Sequence, residues 1–486
     1  MRGRYQIKFG IGLILDNVMI KSIGNTKKAL LSRCAIVSVA VYTGLSGGFM
    51  AGDVMAQTLN ESLIKAYETN PSLSSAQTGL KSVNEGVPQA LSAWRPDVRI
   101  TSSAGVRRTD TDTPTGDSTD NTQPLNATLQ VTQSLYQGGR TQAATEQAEN
   151  LVLAERASVT SVEQDVLLRA VTAYADVWRD QAILDLNINN ERVLARQFEA
   201  TRDRFDVGEL TRTDVAQAES RYSTSTAQRI ASEGTLNSSK AVFEEVVGEY
   251  PDETLARPNP FAVLPASEDE LLGVARENNP ALLAAKYNEM ASINQVREIT
   301  GELYPDLSLV GRVSRSDETS GEDIDSTSGE ILAQLVVPIY QQGLVSSRVR
   351  QAKQTANQRR IQIVEQMRAV EQQGVSSWEN LISSQAQIKS FTSSVNAAEI
   401  ALDGVRQEEE VGERTVLDVL DAEQELLDAQ VNLVRAQRDE VVATYQVLSS
   451  MGQMTAQYIG LPVNVFDPAE GYNNVRDKWF GLGIEK

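Results

Sequence analysis

The sequence predicts a mainly α-helical chain with a transmembrane β-barrel portion, built as two tandem structural repeats that each run helix, strand, strand, long helix, helix. Three observations predict it. Landmark residues recur at a nearly constant displacement, four short segments alternate apolar and polar residues, and two proline-free stretches of roughly 65 residues carry a helical apolar stripe. Composition agrees: only 5% of the 486 residues are aromatic and 14 are proline, while Ala, Val, Leu, Ser and Glu are the commonest residues. Such a chain suits long helices packed on small residues better than a compact core filled with rings.

Taken in order, residues 1–56 read as an export signal. Lys27, Lys28 and Arg33 precede an apolar run over 35–50, and Val54-Met55-Ala56 offers small residues for cleavage before Gln57. The run is too short and too interrupted by Gly44, Gly47 and Gly48 to span a bilayer well. Arg33 stands before Cys34, where a lipoprotein would need a small residue, and Met19 would give a leader of more ordinary length. Residues 1–56 carry seven basic and two acidic side chains, so the 45 basic and 65 acidic residues of the whole chain become 38 and 63 beyond them, a net charge of −25. Such a polyanion is no partner for nucleic acid. With no histidine and a single cysteine, the commonest general base and the usual zinc, copper and haem ligands are missing, so neither an enzyme, a cofactor nor a metal site is expected.

The duplication shows as pairs of landmarks. Asn70-Pro71 returns as Asn279-Pro280, and Arg95-Pro96-Asp97 as Tyr304-Pro305-Asp306, both 209 residues later. Tyr136-Gln137-Gly138-Gly139 matches Tyr340-Gln341-Gln342-Gly343 at 204, as do Val207-Gly208 with Val411-Gly412, Asp214-Val215 with Asp418-Val419, and Val247-Gly248 with Met451-Gly452. The five-residue slip falls in the loops between the two blocks. Residues 57–256 form repeat 1, 257–266 a linker, 267–460 repeat 2 and 461–486 a closing segment.

In the first copy Leu125, Ala127, Leu129, Val131 and Leu135 alternate with Asn126, Thr128, Gln130, Thr132 and Ser134; Ile331, Ala333, Leu335, Val337 and Ile339 do the same in the second. Strands are expected at 98–107, 125–136, 307–315 and 329–340, near the nine to eleven residues of a tilted membrane strand. Leu129, Val131, Leu335 and Val337 would face lipid. Between the strands of each pair, 109–123 and 316–328 read as solvated loops. A soluble hairpin with one buried face would show the same alternation. Four strands cannot close a membrane barrel, and open edges in lipid leave backbone groups unpaired, so membrane strands would oblige the chain to oligomerise. Three copies would give twelve strands; a dimer with eight satisfies the same argument.

Long helices are expected at 139–205 and 343–410, each about 100 Å long at 1.5 Å per residue, followed by helices at 212–248 and 416–452. Val159, Val162, Val166, Ala170, Ala173, Val177, Leu184 and Ile188 hold the stripe of the first. Leu420, Leu427, Val434, Val441 and Leu448 fall at seven-residue intervals, a coiled-coil spacing. A coiled-coil scaffold without a pore explains these helices but leaves the four alternating strands without a purpose.

The stretch Val411-Gly412-Glu413-Arg414-Thr415-Val416-Leu417-Asp418-Val419-Leu420-Asp421-Ala422 resembles the helix-turn segment of the TolC family of outer-membrane efflux and secretion channels. Its degenerate partner is Val207-Gly208-Glu209-Leu210-Thr211-Arg212-Thr213-Asp214-Val215, and the likeness extends over the chain beyond residue 56, including the duplication and the closing segment. The resemblance implies a homotrimer with a twelve-stranded barrel in outer-membrane lipid on an α-helical periplasmic tunnel. It implies an exit duct of a tripartite efflux or type I secretion system, docked to a periplasmic adaptor protein and an inner-membrane ABC or RND transporter. By the same resemblance Gly208 and Gly412 lie at the tip where the adaptor docks. The resemblance also implies that Asp418 and Asp421, three residues apart on one helix face, would point into the constriction. Arg414 would lock the closed tip by bonding Thr213 and Asp214. The chain departs from the family in carrying Glu409 where a tyrosine supplies a further hydrogen bond to that lock.

Overall fold

The computed structural model describes residues 56–261, 263–319 and 323–484, so the expected export signal lies almost wholly outside the described residues. The chain opens with α1 (Leu59–Thr69), α2 (Pro71–Asn84) and α3 (Gly86–Leu91), followed by β1 (Asp97–Ala104), β2 (Arg107–Thr113), β3 (Gly116–Thr122) and β4 (Leu125–Gln137). Then come α4 (Arg140–Asp206) and α5 (Arg212–Val247). The second half repeats the plan with α6 (Glu268–Asn278), α7 (Pro280–Gly301), β5 (Asp306–Asp317), β6 (Asp325–Val336), α8 (Leu344–Glu410) and α9 (Val416–Ser450), and closes with α10 (Ala456–Ile459) and α11 (Glu470–Arg476).

The recurring Asn-Pro landmark has a double structural use. Asn70 caps α2 by accepting the Ser72 amide at 2.9 Å, while its own amide donates to the Val246 carbonyl at 3.0 Å near the end of α5. Asn279 caps α7 the same way and donates to the Ser450 carbonyl at 3.2 Å at the end of α9. Proline at the first helical position loses no bond, because that amide has no intrahelical acceptor. Each landmark therefore starts a helix and pins it to the end of the second long helix of its own half.

Both α4 and α8 contain 67 residues, or about 100 Å of helix. Among the described residues no helix is long and apolar enough to cross a membrane. The principal core lies midway along the molecule. There Val166, Leu167, Val171 and Val177 of α4 meet Leu63 and Ala66 of α1, Phe243 and Val247 of α5, and Val441 and Leu448 of α9. Of the heptad residues, Leu420, Leu427, Val441 and Leu448 are buried and Val434 is half-buried.

One antiparallel sheet has the strand order β1-β4-β5-β6. Its register aligns Val98 and Ile100 with Val131 and Leu129, these with Gly311 and Val313, and these in turn with Ile331 and Gly329. In these rows one face is thus apolar across all four strands, and toward the far end the same face passes to Arg315, Thr327, Asp317 and Asp325. The other carries Arg99, Thr128, Gln130, Arg312, Ser314 and Ser328, tied by bonds such as Arg312 to Glu330 at 2.9 Å. Among the described residues, both outer strands have an unpaired edge.

The observed strands depart from the expected ones. The first strand stops at Ala104, and within 109–123, expected as loop, the chain folds into a second hairpin, β2 with β3. An all-polar run of Arg, Asp, Ser and Thr buries only Thr122 and so leaves no apolar signal, yet backbone pairing still forms a ladder. The last strand runs from Asp325 to Val336 rather than over 329–340, which leaves Val337 beyond its end. Pro338 ends it early, because it lacks the N–H that a ladder needs.

Where strand meets helix, the first half requires glycine. Gly138 has φ +63°, and a Cβ there would lie 2.3 Å from the Gly301 carbonyl oxygen. The second half puts Gln342 at the matching place, also at positive φ.

Candidate functional site

The two helix turns far from the sheet are built alike. At the end of α4 the Gly208 amide bonds the Phe205 carbonyl and the Glu209 amide bonds the Arg204 carbonyl, both at 2.9 Å. At the end of α8, Gly412 bonds Glu409 at 3.0 Å and Glu413 bonds Glu408 at 2.9 Å. This double bond is a Schellman ending, which needs a left-handed residue. Gly208 and Gly412 supply it with φ of +86° and +81°, and a Cβ on either would meet open space, so conformation and not crowding selects glycine.

Three residues on, each return helix begins with a capping box. Thr211 accepts the Asp214 amide at 3.3 Å and donates its hydroxyl to the Asp214 carboxylate at 2.7 Å, and that carboxylate takes the Thr211 amide at 2.8 Å. Thr415 and Asp418 repeat the arrangement at 3.3, 2.7 and 2.9 Å. These bonds hold both carboxyls below the usual aspartate range: for Asp214 chiefly the Thr211 hydroxyl, for Asp418 chiefly the Thr415 amide. The signature Thr-x-x-Asp stands in the sequence at both turns and marks this role.

The charged residues near the turns find partners that sequence reasoning missed. Within the chain Arg414 bonds Glu408 at 2.9 Å, while Thr213 is exposed and Asp214 is engaged by Thr211; the expected bond from Arg414 to Thr213 and Asp214 is not made inside one chain. Asp421 is met by Arg221 of α5 at 2.5 Å. Glu409, the departure from the family pattern, is engaged by Arg204 at 2.7 Å and keeps only 14% of its side-chain surface exposed. Both of these ion pairs join the first hairpin, α4 and α5, to the second, α8 and α9. A third, Arg406 with Glu423, ties α8 to α9.

Higher on the same helices lies a polar knot that the apolar stripe of α4 hides. Asp176 accepts from Arg179 at 2.7 Å and from Arg438 of α9 at 2.8 Å; Asp180, 4% exposed, accepts from Arg179 at 2.7 Å and from Ser239 of α5 at 2.5 Å. Buried carboxylates need such satisfaction, and losing one partner of such a pair typically costs about 3–5 kcal/mol. A cavity of about 360 Å³ adjoins it, lined also by Arg435 and Asp439. Among the described residues no group of three or more potential metal ligands forms.

A sheet with an apolar band across four strands, set on helices of about 100 Å that end in paired turns, fits the class of membrane channels that reach far beyond their bilayer. The family model for outer membrane efflux proteins matches residues 63–249 and 271–453, one match in each half of the chain. The chain is 36% identical over 446 residues to the outer membrane efflux protein BepC of Brucella suis biovar 1 (strain 1330), covering 91% of this chain and 96% of that one. It is 26% identical over 433 residues to the outer membrane protein TolC of Vibrio cholerae serotype O1 (strain ATCC 39315 / El Tor Inaba N16961), covering 86% and 95%. The solved structure of the outer membrane protein VceC, also from Vibrio cholerae, shares the fold at a TM-score of 0.70 and 21% identity, over 81% of this chain and 96% of that one. The chain belongs to the outer membrane efflux protein family, the family of TolC. It is an exit channel of the outer membrane of a Gram-negative cell, with its helices in the periplasm.

Proposed function

We propose that three copies assemble into a passive duct whose four-stranded sheets close a twelve-stranded barrel and whose helical hairpins close a periplasmic tunnel. The two hairpin halves are copies of one unit, and the chain performs no covalent chemistry. Cargo, either drugs or secreted proteins, is handed over by an inner-membrane ABC or RND transporter through an adaptor that docks around Gly208 and Gly412. The observation that carries this reading is the sheet: an apolar face shared by four strands and two unpaired edges are untenable in a bilayer unless neighbouring copies complete the barrel. The gate forms at the turns. Asp418 and Asp421 from each copy line the constriction, and Arg414 reaches Thr213 and Asp214 of an adjacent copy by exchanging its bond to Glu408.

The experiment is planar-bilayer conductance of trimers shown intact by heat-modifiable migration on gels. Arg414→Ser is expected to raise single-channel conductance and, in cells, the entry of a large antibiotic such as vancomycin. Intact trimers with unchanged conductance would mean that helix packing alone closes the tip, and failure to form heat-modifiable trimers would remove the barrel.

A further inference from the structure

The two return helices are copies, so each position in α5 has its counterpart 204 residues later in α9. Their capping aspartates match, Asp214 with Asp418, but the face above the caps does not. Three and seven residues past its cap, α5 carries Gln217 and Arg221 where α9 carries Asp421 and Glu425. Residues at these spacings share one helix face with the cap. That face is acidic throughout in α9, whereas in α5 it passes from an acid through a neutral amide to a cation.

The difference joins the two helices. Arg221 donates to Asp421 at 2.5 Å, from α5 across to α9, with 38% and 56% of the two side chains exposed. Arg221 stands four residues beyond the counterpart of Asp421, about 6 Å along the helix, and helical side chains lean toward their own N-terminus, so the guanidinium reaches back toward the turn. The other constriction carboxylate is held differently. Asp418 takes the amide and hydroxyl of Thr415, a neutral partner that leaves its charge standing, and Arg414, four residues before it, is matched by Glu408. A pair as exposed as Arg221 with Asp421 adds little to stability, yet its charge acts on the field of any narrow space beside it.

We propose that Arg221 sets the ionic selectivity of the periplasmic constriction by cancelling one of the two aspartate charges that each copy brings to it. The inference rests on the reading that Asp418 and Asp421 line that constriction, and it adds a residue from the first half of the chain to a ring otherwise drawn from the second. Two carboxylates and one guanidinium per copy favour cations less strongly than the carboxylates alone, and a multivalent cation must compete with Arg221 for Asp421.

The test uses full-chain trimers, shown intact by heat-modifiable migration, in planar bilayers at about 0.1 M potassium chloride. Reversal potentials in a salt gradient read the preference for potassium over chloride, and spermine added on the periplasmic side reads the block. Arg221→Gln should raise the preference for potassium and lower the half-blocking spermine concentration about tenfold. Asp421→Asn should move both readings the other way, because it leaves the guanidinium uncompensated. Arg221→Gln with Asp421→Asn should return both near wild type, and Arg221→Lys, which keeps the charge, should leave them there. At about 1 M salt these differences should shrink, since screening then acts over a few ångströms. If the pair only ties one hairpin to the other, Arg221→Gln and Asp421→Asn break the same tie and shift conductance and block in the same direction; that result overturns the proposal. An unchanged block in Arg221→Gln trimers, beside a block abolished by Asp418→Asn with Asp421→Asn, also overturns it and leaves the constriction standing. A block that survives Asp418→Asn with Asp421→Asn removes the constriction from these residues and takes the proposal with it.

Discussion

Single residues here act mainly as joints between helices. Glu163 is the clearest titrating case: burial raises its carboxyl above the usual glutamate range, more than the Ala456 amide lowers it. A group raised in the folded state favours folding when protonated. That contribution is complete below the unfolded value of about 4.3 and is lost as pH rises through the folded value. At neutral pH the charge is therefore a cost, and Glu163→Gln, which keeps an oxygen for the amide, should raise the melting temperature at pH 7 with a gain that vanishes near pH 4. Circular-dichroism melts at both values would check it, and a lower melting temperature at pH 7 would show that the charge itself is needed. The chain's own text exposes its joints unevenly. Gly208 and Gly412 stand out because a Schellman ending followed by Thr-x-x-Asp is local chemistry. Arg204 with Glu409 and Arg221 with Asp421 do not, because each pair is about 200 residues apart in the chain and only the fold brings it together.

Among the elements, apolar strand residues differ in how far they stand from a strand end. Leu129 is in the middle of β4, aligned with Ile100 and Val313, whereas Leu335 is one residue from the end of β6. Arginine in place of Leu129 should cost about 2–4 kcal/mol, and in place of Leu335 about 0–1 kcal/mol, since the penalty fades toward the interface. Trimer yield after refolding into vesicles should separate the two, and equal yields would place the apolar face away from lipid. Strand β4 is legible in sequence because its two faces differ at every step from Leu125 to Val131. The β2–β3 hairpin is not, because Asp, Ser, Thr and Arg on both faces give alternation nothing to mark. The long helices are legible from missing prolines and spaced apolar residues, while the knot of Asp176, Arg179, Asp180 and Arg438 stays hidden inside one of those same stripes.

For the whole molecule, charge at the turns should set what passes. If three copies bring Asp418 and Asp421 together, their converging carboxylates favour cations, and a multivalent cation on the periplasmic side should block current. Asp418→Asn with Asp421→Asn should abolish that block while the asparagines preserve bulk; an unchanged block in reconstituted channels would locate the constriction elsewhere. The sheet at the other end and the knot midway are unaffected by these changes, so assembly should stay intact. The equality of α4 and α8, 67 residues each, has a consequence for how such a duct can vary in length. Each residue lost from one helix lowers its turn by about 1.5 Å and swings it by about 100° around the axis. A seven-residue cut made in one hairpin alone would leave its tip about 10 Å short of its neighbour and open a notch in the rim. Cut at the same height from α4, α5, α8 and α9 together, it would shorten the conduit evenly and restore nearly the same facing. A change in length thus keeps the rim even when both halves take it in unison, in steps such as seven or eleven residues that restore the facing to within about 20°.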